Sequence, residues 1–331
     1  MGRHDDIESG DIESGRQRGR DATSPSDIPA RGWKDVAVRV KDEIDENHTV
    51  LAAAGVAFFG FLAMIPALAA LVSIAGLVTS PADASARIED LLGGLPQEVK
   101  DLLASQLESL ASSSSGSLTA GLIVSVALSL WSASGGMGHL VEGVNVAYDE
   151  HDDRGFVQKR GLALALTIGA ILFVVAAVVG LAALPALLDA TDLPAGARIA
   201  LEIAFWPLLI LGFAAGLTVL YHYGPDRDRP EWRWVTPGSL VAVAVWIVIA
   251  IAFRIYTATF GSYGGSFGSL SAIAVLLLFL FITSFAVLLG AHVNFDLERQ
   301  TVHDTTAGRD QPLGTRDASA ADEVGRSVDD R

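Results

Sequence analysis

The sequence contains no cysteine, which excludes disulfides, thiolate metal sites and cysteine nucleophiles. It is also poor in charge: 18% of the 331 residues are charged, and the acidic ones dominate, giving a formal net charge of -15. A nucleic-acid-binding protein needs a basic face, so nucleic acid is not expected as a partner. The HExxH zinc motif and the P-loop lysine are also absent. We therefore predict no catalytic, metal or cofactor site.

Long apolar runs fill the middle of the chain. Hydrophobic residues make up 51% of the sequence, and six segments reach the roughly 20 residues that cross about 30 Å of hydrocarbon. Backbone groups inside a bilayer must be satisfied within the protein, and alternating ten-residue strands are absent, so these segments are expected to be helices. We predict an all-α, six-span integral membrane protein with spans at about 50–79, 118–138, 161–187, 198–221, 236–257 and 270–294.

Basic residues near the span ends predict the orientation. Lys and Arg are enriched in cytoplasmic loops, so the side that carries more of them faces inward. This places both termini in the cytoplasm of a cell-membrane protein. The inward groups are Arg31, Lys34, Arg39 and Lys41; Arg154, Lys159 and Arg160; and Arg227, Arg229 and Arg233, against Arg87, Lys100 and Arg198 outside.

Two further segments are amphipathic without being long enough to span. Residues 33–46 carry an apolar stripe and predict an interfacial helix on the cytoplasmic surface. Residues 84–111 predict an outer helical cap, or equally helices that merely pack on the outer membrane surface. The polar tails, 1–30 with its repeat DIESGDIESG and 299–331, are predicted to be disordered.

The stretch TFGSYGGSFGSL, residues 259–270, contains four glycines between the last two predicted spans. A nucleotide loop would need a preceding strand or a following lysine, and a potassium filter would need a pore helix for which the loop is too short. We predict instead a tight outer hairpin, with close backbone approach at its glycines and aromatic anchors at the interface. The hairpin positions are Tyr256, Tyr263, Gly264 and Gly268.

Two ionisable residues fall inside predicted spans near their outer ends. Glu202 is in the fourth span and Arg254 in the fifth. Charges inside spans are costly and usually face a partner or a wet cavity. Antiparallel neighbours would bring these two to similar depth, so they are candidates for an ion pair; the alternative is that each reaches separately to water.

Small and polar residues in the spans and at their inner ends suggest either a cavity or close helix packing. Small residues allow helices to approach closely, but they could equally line a cavity. A proline within a span should kink it, and kinked spans are common around transport sites. The candidate positions are Pro66, Ser129, Ser132, Ser134, Asn145 and Asn294.

Several blocks of this sequence occur in the same order in one known family. They include AAAGVAFFGFLAMIP (52–66), LWSASGGMGHLVEGVNVAYDE (130–150) and LLGAHVNFDLE (288–298). Together with LYHYGPDRDRPEWRWVTPGSLVAVAVW (220–246) and FRIYTATFGSYGGSFGSLSAIAVLLLFLF (253–281), they make the chain resemble the YihY/BrkB family of inner-membrane proteins over about 33–298. The resemblance implies six helices with both termini inside. It implies no settled activity, although some members carry a ribonuclease label.

The function expected from these observations is transporter-like or lipid-translocating, with the lipid bilayer as partner and an unknown cargo. This step rests on architecture by analogy. The alternatives are a non-transporting membrane scaffold or envelope-integrity factor and, third, a membrane-embedded enzyme. No acid cluster with metal spacing supports the ribonuclease label.

Overall fold

A computed structural model describes residues 15, 17–75, 120–189, 191, 193–260 and 269–330. The predicted cap at 84–111 and the hairpin residues Tyr263, Gly264 and Gly268 lie outside these ranges. Seven long helices make up most of the described chain: α1 Ala30–Glu46, α2 Thr49–Ala75, α3 Ala120–Ala147, α4 Phe156–Asp189, α5 Ala195–Tyr223, α6 Trp232–Phe260 and α7 Ser269–Glu298. A short helix, α8 Ser319–Asp322, follows. Within the described ranges the chain forms no strand, only one isolated bridge between Pro230 and Thr306.

Among the described residues, four helices are long and apolar enough to cross a membrane. They contain Phe156–Leu181, Gly196–Tyr223, Trp232–Tyr256 and Ile273–Glu298. A fifth candidate is the bent pair Ala30–Glu46 and Thr49–Met64, whose axes differ by 66°. The all-α membrane fold is thus confirmed with four or five span candidates. The predicted spans 50–79 and 118–138 each include residues outside the described ranges, so the number six stays a prediction.

Helix α7 lies at the centre of the bundle, against α6 and α2 along much of its length and also against α1 and α3. Its closest approach to α6 occurs at two glycines. A Cβ added to Gly290 would lie 2.5 Å from the carbonyl oxygen of Gly238, and one added to Gly238 would lie 2.1 Å from that of Gly290. Only glycine at these positions allows the two backbones to pack so closely.

The buried core occupies one end of the bundle. Its members come from the C-terminal halves of α3, α5 and α7 and the N-terminal half of α6, and include Val144, Leu217, Tyr221, Val235 and Leu288. We call this the polar end, because the loops 148–155 and 224–231 and the segments 17–29 and 299–330 pack there. Towards the other end many large apolar side chains are exposed, as expected for helices that face lipid.

The C-terminal segment departs from the predicted disordered tail. Residues 299–330 follow the surface of the polar end, and Gln300, Thr301, Ala318 and Ala320 in this segment are buried. Arg316 organises the segment, because its guanidinium donates to the carbonyl oxygens of Val302, His303, Gln311 and Ala321 at 2.6–3.2 Å. A composition-based prediction of disorder does not register backbone carbonyls as partners for a charge.

The described part of the N-terminal tail, residues 17–29, also differs from the predicted disorder. Ala22 and Ile28 belong to a buried cluster with Val36 and Val40 of α1 and with Trp234 of α6. The apolar stripe of α1 is therefore used largely for contact within the protein, whereas the sequence predicted contact with the membrane surface. Trp33 and Ala37, on the same stripe, remain exposed.

Candidate functional site

A cavity of about 440 Å³ lies where α2, α3, α4 and α7 meet. Eighteen described residues line it, and none of them is charged. Most are small or aliphatic, as in ligand pockets that bind apolar groups. The polar lining side chains are Thr167 of α4 and Thr283 and Ser284 of α7.

The two threonine hydroxyls are already engaged. The Oγ1 of Thr167 donates to the carbonyl oxygen of Ala163 at 2.7 Å, one turn back in the same helix. The Oγ1 of Thr283 accepts a hydrogen bond from the indole Nε1 of Trp246 at 3.3 Å. Because these hydroxyls have partners in the protein, the cavity wall favours an apolar occupant over a polar one.

Small residues line the cavity where α2 and α3 meet. At Gly136 an added Cβ would lie 2.6 Å from the Cβ of Ala63, so the backbone of α3 packs directly against the Ala63 methyl group of α2. Ala133, also on the wall, is buried, whereas Ala170 and Val174 of α4 line the cavity and are exposed. Within the described part of the chain, the cavity is therefore accessible from the α4 side.

The residues predicted to line a cavity or a helix contact on α2 and α3 are not among those that line this cavity. Pro66 lies within α2 between the lining residues Met64 and Ala67, at the edge of the cavity. Ser129, Ser132 and Ser134 lie on α3 but are not among the lining residues. The hydroxyl of Ser134 donates back to the carbonyl oxygen of Trp131 at 2.8 Å.

Asn145 and Asn294 lie at the polar end, where they join helix ends. The Oδ1 of Asn145 accepts a hydrogen bond from the backbone N–H of Asp226 at 2.8 Å. The Oδ1 of Asn294 accepts from the N–H of Gly238 at 2.7 Å, and its Nδ2 donates to the carbonyl oxygen of Val235 at 3.0 Å. Both amides thus stabilise loop and helix contacts instead of lining the cavity.

The remaining predicted positions lie on the outside of the bundle. Glu202 in α5 and Arg254 in α6 both have exposed side chains, and their ion pair stays a prediction. Tyr256, two residues after Arg254, is 46% exposed. That exposure is compatible with an interfacial anchor, the role that the sequence predicted for it.

A layer of buried ion pairs closes the polar end. Arg227, in the loop after α5, donates to both carboxylate oxygens of Glu298 at 3.1 and 2.6 Å, and the hydroxyl of Thr305 donates to the same carboxylate at 2.7 Å. The Arg227 guanidinium also lies 5.4 Å from the ring centroid of Tyr148. Burial raises the pKa of Tyr148 well above its ordinary value. The phenol therefore stays protonated at physiological pH.

A second buried pair joins α1 to α7. The Nε of Arg39 donates to the Oδ1 of Asp296 at 2.8 Å, with side-chain exposures of 4% and 0%. Arg39 also donates to the Oε1 of Gln300 at 2.7 Å and to the carbonyl oxygen of Arg326 at 3.1 Å. This one guanidinium therefore holds together the first helix, the last long helix and the C-terminal segment.

Glu150 connects the C-terminal segment to the loop after α3. Its Oε1 accepts a hydrogen bond from the backbone N–H of Ser319 at 2.8 Å. Burial raises the pKa of the Glu150 carboxyl to about 7, against the opposing effects of Ser319 and Arg227. The group therefore titrates near physiological pH.

In the described ranges, no three His, Asp or Glu side chains lie close enough together to hold a metal ion. The Nδ1 of His139 lies 3.2 Å from the Oε2 of Glu142, and the His139 ring stacks on Phe59 with centroids 3.6 Å apart.

The cavity residues on α4 and α7 were not predicted from the sequence. Their helices are apolar all round, so no periodicity distinguishes a cavity-facing side from a lipid-facing one. The available signals were isolated hydroxyl residues in otherwise apolar runs, Thr167 on α4 and Thr283 with Ser284 on α7.

These features define a helical, membrane-embedded protein with an apolar cavity among its helices and a tightly bonded polar end. The family described as virulence factor BrkB matches residues 40–314, and the chain belongs to that family.

Two relatives show how far the similarity extends. The chain is 26% identical over 259 residues to a Bacillus subtilis protein named ribonuclease-like protein YfkH, covering 75% of this chain and 89% of the relative. It is 31% identical over 102 residues to a UPF0761 membrane protein of Tolumonas auensis, covering 31% of this chain and 32% of that protein. No solved structure matches the chain significantly.

Proposed function

We propose that this protein is a multi-pass cell-membrane protein that translocates lipids, with all six helices α2–α7 spanning the bilayer and both termini in the cytoplasm. The orientation is supported by the concentration of Lys and Arg at the polar end, since basic residues are enriched on the cytoplasmic side. The polar end is then the cytoplasmic end.

The observation that carries the proposal is the cavity between α2, α3, α4 and α7. It lies among helices of spanning length, its wall is uncharged, and its two threonine hydroxyls already have partners within the protein. A polar solute would find few hydrogen-bond partners there to replace its hydration, because only three hydroxyl side chains among the described residues line the wall. A lipid chain has no hydrogen bonds to lose, and it could enter from the side where Ala170 and Val174 are exposed.

A scaffold is the second candidate, and the bonded polar end favours it. One ion pair, Arg39 with Asp296, joins α1 to α7, and Arg39 also contacts the C-terminal segment. The other, Arg227 with Glu298, joins the loop after α5 to α7. A rigid envelope component would require fixed helix positions of this kind. We infer no enzymatic role, and the word ribonuclease in the name of the Bacillus relative is not carried over to this chain.

The test is reconstitution of the purified full chain into liposomes containing lipids with fluorescent headgroups. A membrane-impermeant quencher then reports how much lipid from the inner leaflet has reached the outer one. We expect the protein to accelerate this movement, and we expect Ala170→Leu, which fills the cavity, to slow it. Ala176→Leu is the matched control, because Ala176 is exposed on the same helix and does not line the cavity.

The outcomes separate the candidates. Folded protein that moves no lipid contradicts the proposal and favours the scaffold. A panel of entrapped solutes, measured in parallel, would assign a different cargo if solutes move while lipids do not. If Ala170→Leu and Ala176→Leu slow lipid movement equally, the lipid does not move through this cavity.

A further inference from the structure

Arg160 lies in the first turns of a membrane-span candidate. It is the fifth residue of Phe156–Leu181 and lies just before the apolar run that begins at Leu162. A guanidinium at the edge of the apolar region is usually compensated by a protein partner, by water or by lipid headgroups. The question is what compensates Arg160.

The Arg160 side chain is held in one position, and among the described residues no carboxylate neutralises it. Its guanidinium carbon lies 4.1 Å from the ring centroid of Trp131 on α3, and one of its N–H groups donates to the Trp131 carbonyl oxygen. The neighbouring Gly135 has no side chain to intervene: even an added Cβ would remain 3.9 Å from the Arg160 Nη1. Stacking on tryptophan and one carbonyl contact orient the planar group.

The basic neighbours of Arg160 have acidic partners. The Nζ of Lys159 lies 3.6 Å from the Oδ1 of Asp152 and donates to the Asp152 carbonyl oxygen at 2.8 Å. Arg154 donates to both carboxylate oxygens of Asp152, at 2.8 Å each. By contrast, no described ion pair includes Arg160, and its Nε is buried without a hydrogen-bond partner among the described residues.

We infer that Arg160 binds the phosphate of a membrane phospholipid, with Trp131 as the platform that presents the guanidinium. Phosphates lie at the headgroup depth, within reach of a side chain in the first turns of a span. The planar arginine fork matches phosphate oxygens in a way that an ammonium group does not. Trp131 is 47% exposed, so its ring is accessible to a lipid beside α3.

The site adjoins the cavity through one stretch of α3. Trp131 and Gly135 contact Arg160, while Ala133 and Gly136, interleaved with them along the helix, line the cavity. A phospholipid held by its headgroup at Arg160 therefore has an apolar cavity on the neighbouring face of the same helix. The inference deepens the proposed function by naming the class of lipid headgroup, and it rests on that function only for movement, not for binding.

The experiment measures binding to the purified full chain by native mass spectrometry. The probes are phosphatidylglycerol, diacylglycerol with the same acyl chains, and inorganic phosphate. The variants are Arg160→Gln, Arg160→Lys and the matched control Lys159→Gln, which removes the adjacent positive charge. We expect Arg160→Gln to reduce phosphatidylglycerol occupancy about fivefold, the factor that one basic side chain contributes near an anionic surface. Lys159→Gln should leave it unchanged, and Arg160→Lys should fall between them.

Three results would overturn the inference. Equal losses in Arg160→Gln and Lys159→Gln would mean unspecific surface attraction, and equal binding of diacylglycerol would mean that the phosphate is not recognised. Displacement of phosphatidylglycerol by millimolar inorganic phosphate would assign the site to the free ion. If Arg160→Gln does not fold, Arg160→Lys decides. Unchanged phosphatidylglycerol occupancy in Arg160→Lys would then contradict the inference, and reduced occupancy would support it.

Lipid movement in liposomes keeps the two proposals apart. If Arg160→Gln loses bound lipid while the unmodified protein moves none, the inference stands and lipid translocation is wrong. If lipid moves at the same rate in both proteins and phosphatidylglycerol occupancy is unchanged, translocation stands and the role of Arg160 is wrong.

Discussion

Arg227 and Glu298 form a two-pronged ion pair whose side chains are 1% and 0% exposed. The pair fastens the loop between α5 and α6 to the last turn of α7, and the hydroxyl of Thr305 adds a third donor to the carboxylate. A buried ion pair contributes little net stability compared with apolar residues of the same size, but losing one partner leaves the other charge buried and alone. Each single substitution should therefore be severe.

We predict that Glu298→Leu lowers the free energy of unfolding by about 3–5 kcal/mol, because the Arg227 charge loses its partner. The double variant Arg227→Met/Glu298→Leu should lie closer to the unmodified protein than the single variant does. Denaturant unfolding in detergent micelles measures both. The single variant Arg227→Met is measured as well. If the loss in the double variant equals the sum of the losses in Arg227→Met and Glu298→Leu, the two side chains do not interact.

Close packing of α6 against α7 gives a second prediction. Gly290→Ala places a Cβ 2.5 Å from the Gly238 carbonyl oxygen, so the helices must move apart, and we expect a loss of about 1–3 kcal/mol in unfolding free energy. Gly216→Ala in α5 is the control, because nothing lies within 4 Å of the added Cβ. Equal thermal stability of the two variants would argue against the contact.

Glu150 predicts a pH dependence. Its pKa in the folded protein, about 7, lies above the ordinary value of 4.5, because burial disfavours the carboxylate. The stability linked to this group is therefore fully present below about pH 4.5 and is lost as the pH rises through about 7. Between pH 5 and pH 8, the apparent melting temperature of Glu150→Gln should fall less than that of the unmodified protein. Parallel melting curves across this range would contradict the assignment.

Arg316 predicts how firmly the C-terminal segment is held. Arg316→Met leaves four backbone carbonyls without their donor, and unsatisfied buried carbonyls are costly. We expect faster proteolysis and faster hydrogen exchange across residues 301–322. Arg309→Met, which removes an exposed charge from the same segment, should leave both rates unchanged. Identical cleavage of the two variants would mean that Arg316 does not hold the segment.

The long helices were predictable because hydrophobic length determines them. The predicted spans 161–187, 198–221, 236–257 and 270–294 fall within α4, α5, α6 and α7, whose ends extend a few residues further at each side. A bilayer requires about 20 apolar residues whatever the details of packing, so this signal does not depend on tertiary context.

The polar end could not be predicted in the same way. Arg39 meets Asp296 and the Arg326 carbonyl across more than 250 residues of sequence. Arg316 lies 3.8 Å from the Asp304 carboxylate, but its hydrogen bonds go to carbonyls that any residue could supply. Neither arrangement leaves a pattern in local composition. The sequence singled out Asn294 as a polar residue at a span end. Its hydrogen bond from the Gly238 N–H depends on the close approach of α6 and α7, which the sequence does not reveal.

The C-terminal segment has a practical consequence for handling the protein. The N–H of Val328 donates to the Asp35 carboxylate at 3.0 Å, and Asp329 pairs with Arg18, so the described chain ends on a packed surface next to α1. Truncation at residue 298, where a hydropathy plot would cut, removes partners from Arg39 and Glu298. An affinity tag or fluorescent fusion joined directly to the packed segment around Val328 and Asp329 would compete with these contacts, and a flexible spacer would preserve them.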